Sequence, residues 1–232
     1  MAQPTALARP PAPLVGDTRE RLLDAAEQLF GENGFDGTSM RALARAAGTG
    51  LSAANYHFGS KEALLTAVML RRINPVNELR IRRLEALEEQ AGDQPLRVED
   101  IVNAYLRPIF EIRAASLQRD VSPFWLAARV YSDPSDAVSK LKRELFVRVH
   151  ARFLPALQRA LPQHAARDLE IAQQLTTGLL VHVLSGNVNE SELGSARDYE
   201  PILRRLIAYA TAGLTHLPVV PSNQTDDAEE QP

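Results

Sequence analysis

The stretch "NYHFGSK", Asn55 to Lys61, places an amide, a phenol, an imidazole, a hydroxyl and an ammonium within seven residues, directly after the run "LSAA". These groups donate and accept hydrogen bonds or carry charge, and none is an obvious nucleophile with a base beside it. Asparagine can pair with adenine through two bonds, leucine can touch a thymine methyl, and serine or tyrosine can reach a base edge or a phosphate. On a helix, Leu51 and Asn55 share one face, with Ser52 and Tyr56 beside them. Ala53 and Ala54 are small enough to let that backbone approach a partner closely. His57 and Lys61 are suited to gripping phosphate. A lysine in the first turn of a helix is unfavourable for that helix alone, but sensible if a phosphate lies between the ammonium and the free N–H groups. The chemistry implied is recognition of duplex DNA in its major groove.

Such a face needs a scaffold, and the preceding residues supply one. Asp17 and Glu20 fit a capping box, after which Leu22, Leu23, Ala26, Leu29 and Phe30 recur at helical spacing, predicting a helix to about Glu32. Gly34 stops it, and Thr38 or Ser39 caps a second helix with Met40, Leu43, Ala44 and Ala47 on one face, ended by Gly48. Leu51 to Phe58 is long enough for two turns, with Gly50 at its cap. Ser60 caps a further helix with Leu64, Leu65, Val68 and Met69 on its apolar face. The second and third helices, joined by a tight glycine turn, have the layout of a helix-turn-helix. Phe30, Phe35 and Phe58 are expected in its core.

Residues 19 to 65, "RERLLDAAEQLFGENGFDGTSMRALARAAGTGLSAANYHFGSKEALL", resemble the DNA-binding domain of the TetR family of bacterial transcriptional regulators, with no gap needed. The resemblance implies that Ser39 and Arg41 open the second helix at positions contacting phosphate and sometimes a base. It places Leu51, Ser52, Asn55 and Tyr56 at reading positions, and His57 and Lys61 at phosphate positions. The chain departs from the family pattern at Thr49, Gly50 and Asn55, where a small apolar residue, a serine and a tyrosine are commoner. It also implies a larger helical domain that binds a small molecule and dimerises.

The net charge of −3 hides an asymmetry, since Thr38 to Arg72 carries five cations (Arg41, Arg45, Lys61, Arg71, Arg72) against one acid, Glu62. Arg71, Arg72, Arg80, Arg82 and Arg83 are expected on a solvated helix face. The 232 residues are 45% apolar and 24% charged, which fits a globular protein. No cysteine is present, and the five histidines show no ligand spacing, so neither a metal nor a cofactor is expected. The serine-elbow, zinc-helix, phosphate-loop and dinucleotide-glycine patterns are missing, which argues against an enzyme. No stretch has the look of a signal peptide or membrane span, and the expected location is the cytoplasm.

The expected fold is all-α: an N-terminal three-helix helix-turn-helix domain over 17–72, joined by a long helix to a helical effector-binding and dimerisation domain over 73–217. A disordered arm over 1–16 and a disordered acidic tail over 218–232 flank them. Pro75 is expected to break or kink the helix begun at Lys61, with a charged helix continuing over 76–90. Further helices are expected near 101–116, 123–131, 136–161, 165–185 and 198–216. The apolar faces of 171–186 and 201–214, with small residues at Gly178, Ala208, Ala210, Ala212 and Gly213, suit an intersubunit four-helix bundle in a homodimer. Tyr105, Phe110, Arg113, Trp125, Arg129 and His182 are candidates for lining an effector pocket. The combined expectation is a homodimeric repressor of double-stranded DNA, released by a small, largely apolar effector. An activator, a chromosome-organising protein and an all-helical carrier or enzyme are the alternatives.

Overall fold

The computed structural model describes residues 17–116, 136–184 and 198–218. The expected arm over 1–16, almost all of the tail, the helix near 123–131, and with it Trp125 and Arg129, lie outside the described residues. Every regular element among the described residues is an α-helix: α1 (Thr18–Asn33), α2 (Met40–Ala46), α3 (Leu51–Phe58), α4 (Lys61–Ala91), α5 (Val98–Ser116), α6 (Asp136–Ala160), α7 (Ala166–Leu184) and α8 (Glu200–Thr215). The chain divides into two compact units, Met1–Val68 and Met69–Pro232.

The first unit is built by caps and small residues. Asp17 accepts the Arg19 N–H at 3.2 Å to start α1. Leu22, Ala25, Ala44, Ala47 and Ala54 form a buried cluster on which Met40 and Phe58 pack. Four alanines in this seam allow short helices to approach one another where larger side chains would hold them apart. Phe30 is fully buried; Phe35 and Phe58 are only half-buried, yet both pack, Phe35 with its ring 5.9 Å from that of Phe30. Thr38 is buried, and its hydroxyl donates within reach of the carbonyls of Gly34 (2.8 Å) and Leu29 (3.1 Å), fixing the path from α1 to α2.

α4 runs through Pro75 as one helix. Proline cannot donate the bond to the preceding turn, but it stands on the exposed side of the helix, where water can serve the carbonyl it leaves, and the buried Ile73 and Val76 on either side hold the helix in its packing. In the second unit α5 packs on α6 and α8, and α7 on α6 and α8. The α6 stripe Leu141, Leu145, Val149, Phe153 and Leu157 repeats every four residues and is buried throughout. Ion pairs clamp the rims: Glu88 of α4 binds Arg152 and Arg159 of α6, and Arg83 meets Glu111 at 2.6 Å.

Candidate nucleic-acid interface

The turn between α2 and α3 is a Schellman motif. Gly48, at φ +63°, donates to Arg45 O (3.1 Å), and Thr49 N–H donates to Ala44 O (2.9 Å). Only glycine adopts that φ without strain, so the residue sets the direction in which α3 leaves. Gly50 then precedes α3 in extended geometry without a side-chain cap, its carbonyl accepting from Ala53 (3.1 Å) and Ala54 (3.2 Å). Gly59, at φ +74°, ends α3 by donating to Asn55 O at 2.8 Å. Ser60 Oγ accepts the Ala63 N–H at 3.1 Å and opens α4.

α3 is pinned to its unit by one fully buried residue, Ala54, and it turns Leu51, Ser52, Asn55 and Tyr56 outward. Leu51 leaves 37% and Tyr56 86% of its surface in solvent. Large apolar surface is not left on a helix by the unit's own packing needs, and the Asn55 amide has no hydrogen bond among the described residues. Tyr56 meets His57 edge-on at 5.4 Å between ring centroids, which holds the half-buried imidazole beside it. Ser39 caps α2 by accepting the Ala42 N–H at 3.2 Å, and Arg41, two residues on, is exposed without an ion pair among the described residues.

Lys61 has an additional task that its position in the sequence does not disclose. Its ammonium donates to Phe35 O at 2.9 Å and lies 4.1 Å from the centre of the Phe35 ring. It ties the start of α4 to the loop after α1. An ammonium has three donors, so this bond leaves capacity for an anion.

Of the residues suggested for an effector pocket, Tyr105 enters a buried polar cluster in the second unit. Its hydroxyl lies 2.7 Å from Thr177 Oγ1 and 3.0 Å from His150 Nε2. Arg80 lies behind its ring, Cζ 4.1 Å from the centroid, and donates from Nε to Tyr105 O at 2.7 Å. Arg80 Nη1 donates to Asn77 Oδ1 at 2.9 Å, and Asn77 is itself fixed to Leu145 O at 3.0 Å. Burial, and secondarily the charge of Arg80, push the His150 imidazole down to about 4, so it is neutral here. Phe110 instead stacks on Tyr199, Arg113 is half-buried elsewhere on α5, and His182 is exposed on α7. Arg80 corrects the expectation of a solvated face: it is fully buried. Arg80, His150 and Thr177 were not anticipated, although Val76, Arg80 and Leu84 fall at four-residue spacing on one buried stripe of α4.

Comparison with known proteins agrees with this arrangement. Residues 22–68 match the family model of bacterial regulatory proteins of the tetR family, and residues 103–213 match that of the tetracyclin repressor-like C-terminal domain. The HTH-type transcriptional regulator BetI of Brucella suis is 26% identical over 185 residues, 78% of this chain and 88% of that protein. The fold is shared with AmtR of Mycobacterium smegmatis (TM-score 0.56, 17% identity, 89% of this chain and 90% of that one). It is also shared with SmeT in its complex with triclosan (TM-score 0.55, 25% identity, 83% and 90%). The chain belongs to the TetR family of transcriptional regulators, and it is a DNA-binding regulator rather than an enzyme. No helix among the described residues is long and apolar enough to cross a membrane.

Proposed function

We propose that the chain is a homodimeric repressor that binds a palindromic operator and releases it when a small effector enters the second unit. The observation that carries the reading is the outward face of α3: Leu51, Ser52, Asn55 and Tyr56 are exposed in a unit whose other apolar residues are largely packed. Ser39, Arg41, His57 and Lys61 are assigned to the phosphates and the four α3 residues to base edges. One short helix touches too few base pairs to be selective, whereas a two-fold pair reads two half-sites.

The pairing surface is assigned to α7 and α8. Ile171, Leu175, Leu179, Tyr209 and Gly213 line an apolar groove between them, with Leu175 67% and Tyr209 71% exposed. Closing two such grooves on each other makes a four-helix bundle and removes these apolar groups from water. His182 lines the same groove, which supports an interface role for it more than a ligand role. The working division is a reading domain over 17–72 and an effector and dimerisation domain over 73–217, in a protein acting in the cytoplasm. The triclosan complex of SmeT supports a small organic ligand for the second domain.

The mechanism is a population shift. A ligand that prefers a conformation in which the paired heads are wrongly spaced lowers operator affinity by the same factor that operator lowers ligand affinity. Selection of bound fragments from a random DNA pool tests the reading, the expected product being a palindrome. On that palindrome Asn55→Ala and Tyr56→Ala each lose roughly 1–3 kcal/mol of binding, about 5- to 150-fold, without loss of fold. An unstructured pool, or recovery of a single asymmetric half-site by a monomer in sedimentation, overturns it.

A further inference from the structure

We propose that Arg80 is an anion anchor, and that the effector is a small organic acid whose carboxylate supplies the counter-charge that no side chain among the described residues gives this guanidinium. The inference rests on the reading of the second unit as an effector domain and adds the chemical class of the ligand.

The cations of that unit fall into two kinds. Arg83, Arg107, Arg152 and Arg159 each meet a carboxylate, and all four keep part of their surface in water. Arg80 has no exposure at all and no acidic partner among the described residues. Two of its five donors are used, by Tyr105 O and Asn77 Oδ1, while Nη2 is buried with no hydrogen-bond partner. Burying a guanidinium without a counter-charge or full hydrogen bonding is strongly unfavourable, and removing one partner of a buried pair is costly for the same reason. The unit therefore carries a buried charge set in a fixed orientation by the anchored Asn77, with one edge of its planar fork unused. A carboxylate matches such a fork geometrically.

The neighbours fit an organic acid. His150 is held neutral, so no second cation competes for the anion, and Tyr105 and Thr177 offer hydroxyls. Gln173 Oε1 is a further buried atom with no partner. Tyr105 also lines a small cavity of about 20 Å³, together with Ile101, Val102, Phe153, Leu157 and Leu214. That space holds no more than a water, so an apolar body entering it must part α5 from α7. Binding at this place thus has to favour a different packing of the unit, which is what a switch requires.

The test uses the full chain and four probes, benzoate and hexanoate with their neutral counterparts benzamide and hexanamide. Titration calorimetry and operator release are the readouts. Each acid is expected to bind at least about ten-fold more tightly than its amide and to release operator. Arg80→Met removes that preference while leaving operator binding unchanged without probe. Ligand-free Arg80→Met is expected to melt no lower than the wild type, because it gives up a charge that no carboxylate was compensating. A marked fall in its melting temperature overturns the premise of an unmet charge. Equal affinity of wild type for acid and amide overturns the assignment, and operator release by the amides would leave the effector reading standing without it. No binding by any of the four overturns the organic-acid class, and the random-pool selection then judges the regulator reading independently.

Discussion

Two tyrosines mark the difference between the units. Tyr56 on α3 leaves 86% of its surface in solvent, and Tyr105 on α5 leaves 6%. Around Tyr56 the polar groups face outward, while their backbone is held by glycine turns and a seam of alanines. Around Tyr105 they are folded inward and bonded to one another across four helices. A surface that must meet a macromolecule keeps its hydrogen-bonding capacity in water, where leaving it unused costs little. A site inside a helical bundle must satisfy each group or endure the penalty. In the first unit the polar groups of α3 stand apart from the packing that holds the helix, whereas in the second the polar cluster around Tyr105 is part of the packing itself.

The sharpest way to break that contrast is to delete both rings. Tyr105→Ala opens a cavity in the core and strips His150 and Thr177 of a partner, an expected loss of about 3–5 kcal/mol in urea unfolding. Tyr56→Ala is expected to stay within about 0.5 kcal/mol of the wild type. Equal losses would erase the distinction.

The second measure is pH. His150 is pushed from an ordinary 6.5 to about 4, first by burial and then by Arg80, whereas in the unfolded chain it returns to its ordinary value. The unfolded state therefore binds more protons between these limits. The contribution of this group is complete above about pH 6.5, is lost progressively as pH falls, and amounts to about 3 kcal/mol at most by pH 4. His150→Gln should flatten that part of the stability curve. An unchanged slope would mean that the imidazole is solvated in the folded chain.

Gly48→Ala probes the other side of the comparison. A Cβ there would meet nothing closer than Arg21 Nη1 at 3.9 Å, so the penalty is backbone strain at φ +63° alone. About 1–2 kcal/mol of unfolding free energy is expected to go. Because the same turn aims α3, DNA affinity should fall more than for a substitution of equal stability cost in α1. Proportional losses of stability and affinity would show that the turn serves folding only.

Local signals account for what was legible. Gly34 and Gly48 end α1 and α2, Gly50 precedes α3, Ser39 and Ser60 cap α2 and α4, and apolar residues recur at helical spacing, so the helices of the first unit were legible in the sequence. Arg80 was not, although its register was available: Val76 and Leu84 lie one turn before and after it on a buried stripe. Residue type outweighed position, since arginines are normally solvated. The partnerships of Tyr105 with His150 and Thr177 span 45 and 72 residues, and no local pattern encodes them. His150 and His182 both sit among apolar neighbours on helices, and only packing places one inside and the other on the groove.

The finest test lies within the second unit and compares its two kinds of arginine. Arg107 of α5 and Glu200 of α8 are joined by two parallel bonds of 2.9 Å, with side chains 25% and 37% exposed. The bond from Arg107 holds the Glu200 carboxyl below its usual range, so the pair's contribution is present above that range and fades as pH falls through it. Water screens a pair this exposed, and a double-mutant cycle with Arg107→Met and Glu200→Gln should return a coupling of only about 0.5–1 kcal/mol, reduced further in high salt. A coupling of several kcal/mol, insensitive to salt, would mean that rim pairs organise the unit as strongly as its core. The lack of a carboxylate at Arg80 among the described residues would then be one variation among many and no exception.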